Sequence, residues 1–282
     1  MNMNMKMAFA VLSLTALTFT ACRKDKDEEL DNDTTTVVEY SMSDNAFNDV
    51  TSIADEAYDG SLDTYRASSS NRIMTTCATI TFDTAASPKT LTIDFGTTDC
   101  LCGDGNYRRG KILVSWTGPY RDSGSVRTIT FDQYFVNYNQ LQGTKTVTNN
   151  GTNGSGHPTF TVTVNGSVTW DAQYFGGGGT STYTSARTRE WIAGYNTLTW
   201  LDDVYLISGT ASGTTRGGSS YTMSTTEALK KEIGFRHFTD GVLNFTPSGK
   251  YTRVIDYGYV NGGQDNLARV TINGYSFTVT LR

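Results

Sequence analysis

The chain has 282 residues, with 23 Lys plus Arg against 28 Asp plus Glu and a formal net charge of −5. An acidic balance with no basic patch excludes nucleic acid as a partner, and the length suits one large β domain or two small ones, of which one is the reading adopted here. Threonine fills 46 positions, a composition that favours strands, because a β-branched side chain suits a pleated surface and its hydroxyl keeps the outer face soluble.

The first segment reads as a secretory signal. Lys6 supplies a positive start, and Met7 to Phe19 is a charge-free apolar run ending in Phe19-Thr20-Ala21-Cys22. That run is shorter than the roughly 20 apolar residues of a membrane-spanning helix, so residues 1–21 are expected to be removed as a signal peptide. A cysteine at the cleavage point after small residues resembles the lipobox of bacterial lipoproteins, with Phe19 where Leu is commoner. Cys22 is then the lipidated residue, and its acyl chains make the membrane a partner. Residues 22–42 are expected to form a flexible tether, because Arg23-Lys24-Asp25-Lys26-Asp27-Glu28-Glu29 and the polar run after it carry no apolar period to offset their ordering entropy. The Lys/Asp/Glu cluster next to Cys22 is also similar to the signals that send lipoproteins of the Bacteroidota to the outside of the outer membrane, which implies a cell-surface location.

Residues 43–282 read as a single β-rich domain. A helix is predicted over 43–58, where Ser43 or Asp44 can cap it, Phe47, Val50, Ile53, Ala54 and Ala57 form one stripe, and Gly60 ends it. A second short helix is predicted over 225–233, from the capping-box spacing of Ser224 and Glu227 and the stop at Gly234. The rest alternates at period two. Ile129, Phe131 and Phe135 share one face of 128–136 while Thr128, Thr130, Asp132 and Tyr134 share the other, and 159–164 and 275–281 follow the same rule. Asn165-Gly166 and Asn273-Gly274, each between alternating runs, predict two-residue hairpins, and all four prolines (Pro88, Pro119, Pro158 and Pro247) fall at expected strand ends or turns. The fold class is therefore all-β: a large antiparallel meander or sandwich with one N-terminal helix and a second short one.

Chemistry-bearing motifs are few. Beyond Cys22, the cysteines are Cys77, Cys100 and Cys102, an odd number for an oxidising compartment. Strands near 77–83 and 91–95, folded about Ala86-Ser87-Pro88, bring Cys77 opposite a position close to 98, so a structural disulfide to Cys100 is expected, with Cys102 as the alternative partner. Gly105 to Lys111 fits G-x-x-x-x-G-K, but Ile112 stands where a phosphate loop needs Ser or Thr, and a strand follows where that loop needs a helix. Nucleophilic catalysis fails on inventory, with two histidines, no G-x-S-x-G elbow and no H-E-x-x-H. Asp202-Asp203 reads as a turn pair, since neighbours on a strand point to opposite faces and cannot flank one bond. No catalytic residue, metal or cofactor is expected. Trp191, Tyr195, Trp200 and Tyr205 lie in one short stretch, and Trp191, Tyr195 and Trp200 are the candidates for a sugar-binding platform.

Several segments carry a resemblance to a family of uncharacterised Bacteroidota lipoproteins. They are Leu91-Thr92-Ile93-Asp94-Phe95-Gly96 with Cys100, Arg109-Gly110-Lys111-Ile112 running to Trp116-Thr117-Gly118, Tyr120-Arg121-Asp122-Ser123-Gly124-Ser125, and Gly143 to Asn149. Thr188-Arg189 with Trp191-Ile192-Ala193-Gly194-Tyr195 and Val270-Thr271-Ile272-Asn273-Gly274 complete them. The resemblance implies a secreted β domain behind a lipid anchor and brings no activity. Cysteines that the family carries near Phe235 and Gln264 are absent here, as for a missing second disulfide. The function expected is that of a non-catalytic outer-membrane lipoprotein with a binding or structural role at the envelope. The alternatives are a glycan-binding surface lipoprotein accessory to polysaccharide uptake, and a periplasm-facing lipid or lipoprotein carrier with the helix as a lid over an apolar groove. Partners other than the membrane would be a glycan or an envelope protein.

Overall fold

The computed structural model describes residues 31–62, 77–173, 177–197, 201–259 and 261–281. The signal segment, Cys22, most of the expected tether and Trp200 lie outside the described residues. One helix, α1 (Thr35–Leu62), precedes fourteen strands: β1 (Thr79–Asp83), β2 (Lys89–Asp94), β3 (Cys100–Leu101), β4 (Tyr107–Trp116), β5 (Val126–Val136), β6 (Asn139–Thr152) and β7 (Pro158–Trp170), then β8 (Gly179–Ala193), β9 (Val204–Thr214), β10 (Ser220–Glu232), β11 (Asp240–Pro247), β12 (Arg253–Asp256), β13 (Leu267–Ile272) and β14 (Tyr275–Thr280). All belong to one antiparallel sheet in which each strand lies beside its neighbour in sequence, except that β2 pairs directly with β4 and β3 caps the end of β4. The meander is thus formed as a single sheet, and among the described residues no second sheet faces it as a sandwich requires.

The expected helix over 225–233 is not formed. Those residues belong to β10 and its end, held between β9 and β11, with register shifts at Thr225/Glu227 and Glu227/Lys230. The bulges explain the misreading: two one-residue shifts cancel in phase, so Met223 and Leu229 both turn inward while the stretch between them loses alternation. A bulge also corrects 128–136. Gln133 takes φ 46° there, and Tyr134, not Phe135, becomes the fully buried residue; Phe135 instead lies under the guanidinium of Arg109, 3.7 Å from its ring centre. Asn273-Gly274 makes its hairpin with φ of 47° and 84°, but Asn165-Gly166 does not turn: both residues sit inside β7. Gly166 pairs with Gly143 of β6, and a Cβ on it would lie 2.6 Å from the Phe47 ring. Its missing side chain makes room for α1 to touch the sheet.

The helix itself is longer than its apolar stripe suggests. It begins at Thr35, whose N–H donates to Asp33 Oδ1 at 3.0 Å, and continues through Gly60. Ser43 does not cap it, donating instead to Glu39 O one turn back at 3.1 Å, and Val37 and Tyr40, read as tether, are buried. Four of its carboxylates, and two just before it, each meet a cation from the strands or the turns between them. Asp31 pairs with Arg253 (2.9 Å), Asp33 with Lys250 (2.5 Å), Glu39 with Arg216 (3.5 Å), Asp44 with Arg187 (2.8 Å), Asp49 with Arg108 (2.5 Å) and Asp55 with Arg127. Partners run from β12 back to β4 and β5 as α1 advances, so the helix crosses the strands. At about 1.5 Å per residue, Thr35 to Asp55 rise about 30 Å, close to the roughly 34 Å of the seven strand spacings between β12 and β5.

Along β8, Ser181, Tyr183, Ser185, Arg187, Arg189 and Trp191 are all buried. Ten residues of strand cover about 33 Å, whereas a helix is about 10 Å across, so the strands bend over α1 and the loops at their ends complete the cover. Phe47 stacks on Tyr183 at 5.5 Å, and Tyr40 meets Tyr221 and Phe245 at 5.9 and 5.2 Å. Lys145 is sealed beneath the helix and donates to Phe47 O at 2.8 Å. Burial, with Arg189 and Arg187 nearby, pulls its pKa down to about 7.

Two expectations follow. Asp44→Ala leaves Arg187 buried without its carboxylate and costs about 3–5 kcal/mol, to be read from chemical denaturation. Lys145 tests the pH dependence: the folded group releases its proton near 7 and the unfolded one near 10.4, so between these values the unfolded chain holds the extra proton and native stability rises with pH. Lys145→Met therefore stabilises the domain at pH 7, and that gain disappears in unfolding titrations carried towards pH 10.5.

Candidate functional site

The candidate platform residues lie where β8 leaves the sheet, beside the loops after β4 and β6. Alternation along β8 sends Arg189 and Trp191 inward and Glu190 outward. Trp191 is 4% exposed, with ring centres 5.7 Å from Tyr205, 6.3 Å from Tyr120 and 6.4 Å from Phe160. Tyr120 stacks on Phe160 at 4.9 Å, and Arg189 donates to the Tyr120 hydroxyl while its guanidinium sits 4.6 Å over Tyr205. Arg121 covers the cluster from outside: its guanidinium lies 4.9 Å from the Trp191 ring, and its two terminal nitrogens donate to Tyr195 O and to Thr197 O (3.1 Å). Trp191 is thus packed on both faces and offers no ring for a sugar to stack on. Tyr195 remains half-buried at the rim, 5.7 Å from the His157 ring. The structure brings Trp191 and Tyr195 together at 6.4 Å, and Trp200 falls outside the described residues.

Around Tyr195 the rim is polar. Glu190 Oε1 accepts from Asn153 Nδ2 at 2.8 Å and lies 2.7 Å from His157 Nδ1, and these hydrogen bonds hold its carboxyl below the usual range. Asp202 and Asp203 point apart, as expected of a turn pair: Asp202 accepts from Thr197 Oγ1 at 2.9 Å, whereas Asp203 is buried and accepts from Tyr205 at 2.8 Å. Burial pushes the Asp203 carboxyl up to about 7. Its Oδ1 and the Trp191 Nε1 are both buried, and hydrogen bonds from the Tyr205 and Trp191 side chains oppose that rise. A cleft lined by Tyr58, Trp116, Tyr120, Arg127 and Asn149 has a volume of about 10 Å³, room for one water. Among the described residues no group of three His, Cys, Asp or Glu is placed to hold a metal ion.

Cys77 and Cys100 are joined, with Cα atoms 5.7 Å apart and a separation of 23 in sequence. A loop of that length stabilises the fold by about 3 kcal/mol in the chain-entropy model. The alternative partner, Cys102, is a buried free thiol whose pKa burial raises. Asp104, just before the Gly105 to Lys111 run, binds Arg108 through both carboxylate oxygens at 2.7 and 2.6 Å. Sequence reasoning missed the buried arginines, since an isolated Arg in a strand looks like outer-face polarity; the signal was their place on the inward phase of the alternation. Comparison of the chain with family models, with curated proteins and with solved structures finds no match.

Truncation separates core from rim. Trp191→Ala is expected to cost about 3–5 kcal/mol, the range for emptying a large aromatic site, and Tyr195→Ala markedly less; urea unfolding of both variants measures the difference.

Proposed function

We propose that this chain is a non-catalytic lipoprotein of the bacterial outer membrane, held by acyl chains on Cys22, which faces the cell exterior and acts through the outer surface of its sheet in binding or structure at the envelope. The observation that carries this reading is the filling of the concave face. The helix and its ion pairs occupy the trough that a small ligand would enter, so contact with a partner falls to the convex face and the loop rims. That face is a field of hydroxyls. Thr130, Thr144, Asn165, Thr184, Ser212 and Thr222 lie opposite one another on six successive strands, β5 to β10. Such rows repeat about every 4.8 Å across the sheet and about 6.7 Å along it, and they make a hydrated, hydrogen-bonding surface.

Glycan binding is the second reading, favoured by the rim at Tyr195, where an aromatic ring stands beside His157, Glu190 and Arg121. Without Trp191 as a platform it rests on Tyr195 and the hydroxyl rows. Lipid carriage would need α1 to leave the trough and take its carboxylates away from Arg216, Arg187, Arg108 and Arg127, which makes it the weakest of the three.

Protease shaving of intact cells expressing the full chain tests the placement. Loss of the domain while a periplasmic control survives is the expected result. Survival of both overturns the surface location and returns lipid carriage to consideration, to be checked by solvent extraction of bound lipid.

A further inference from the structure

We infer that β14 is a self-association edge, at which two copies of this chain pair antiparallel and join their sheets. Among the described residues no strand pairs with its outer side. Sheets ordinarily protect an exposed edge with charge, proline or a bulge, and Tyr275-Ser276-Phe277-Thr278-Val279-Thr280 has none of these, pairing with β13 without a register break. The opposite edge, β1, does carry a charge, Asp83, whose carboxylate closes the following turn through the N–H groups of Ala85 and Ala86.

The register of β14 is self-complementary. Asn273-Gly274 is a two-residue loop, so its closing pair, Ile272 and Tyr275, exchanges hydrogen bonds and every second residue does the same. Leu281 keeps the alternation by donating to Asn266 O at 2.7 Å. The backbone groups of Ser276, Thr278 and Thr280 therefore point away from the sheet. A two-fold axis at Thr278 sets Thr278 opposite its own copy and Ser276 opposite Thr280, which matches every outward donor with an outward acceptor. On the inner face the same axis sets Phe277 opposite Val279 and Tyr275 opposite Leu281.

Two further observations point to a second copy as the occupant. Among the described residues, four of the seven exposed large hydrophobic ones, Tyr251, Val254, Tyr259 and Tyr275, fall on or beside the last three strands, and Tyr275, at 57%, is the most exposed of the seven. Charge also permits the pairing: Arg269 is neutralised by Asp256, and across the joined edges the two Arg269 residues stand three strand spacings apart, about 14 Å, beyond the screening length of physiological salt.

Cysteine cross-linking of the full-length lipoprotein in its membrane tests the register. Thr278→Cys places two thiols at the axis on directly opposed residues, and most of the protein is expected to migrate as a disulfide-linked dimer. Thr280→Cys alone, four residues off register from its own copy, and Thr184→Cys on the convex face of β8 are expected to remain monomeric. Thr278→Lys opposes two ammonium groups and is expected to halve the mass seen by sedimentation in detergent while leaving the β-sheet circular dichroism spectrum in place. The inference is overturned if Thr278→Cys gives no more dimer than Thr184→Cys, if wild type sediments as a monomer, or if Thr278→Lys remains dimeric.

Discussion

The structure depends on the neutralisation of an acidic helix inside a sheet. Glu39, Asp44, Asp49 and Asp55 follow one another at intervals of five or six residues, and at about 100° per residue each step turns the next carboxylate by roughly 140° or 240° around the axis. Cations on several sides are needed to meet them. A flat sheet touches one side of a helix, so the partners supplied by Arg216, Arg187, Arg108 and Arg127 require a sheet that bends over it. Paired mid-strand glycines, Gly143 and Gly166, the second of them against Phe47 of the helix, and register shifts in β4, β5, β6, β8 and β10 provide the bend. The cost is desolvation of several buried charges, each of which is tolerable only while its partner stays in place.

That interlocking explains which parts of the fold could be read from the sequence. Alternating Thr and aliphatic residues define strands by local chemistry, and the meander follows from short connections between them. The Cys77–Cys100 bond follows too, because it closes a local hairpin. The helix start was hidden: Val37 and Tyr40 sit among Thr and Asp, and their burial comes from strands that lie more than 140 residues away. Asn165-Gly166 shows the same limit from the other side. Its dipeptide chemistry is that of a turn, and the closing pair at Asn273-Gly274 shows the turn can form; at β7 the close approach of Phe47 uses the glycine differently.

The candidate site was legible only as a concentration of aromatic residues. Whether a ring belongs to a platform or to a core is decided by what covers it, and Arg121, 70 positions earlier in the chain than Trp191, does the covering here. Tyr195, His157 and Glu190 gather at the rim because the loops after β6 and β8 adjoin, a proximity that spacing along the chain does not reveal. A filled interior and a broad hydroxyl-bearing exterior together favour work done at a surface over work done in a pocket.

Amide hydrogen exchange along α1, compared with the global unfolding free energy of the same protein, tests most directly whether the helix is the structural centre of the sheet or a cover that opens. Amides of 40–57 exchanging only through global unfolding, at the rate of the central strands β6 to β8, is the result predicted. Exchange of those amides as one unit at a free energy several kcal/mol lower, with the strands still protected, would contradict it and show a helix that leaves its trough.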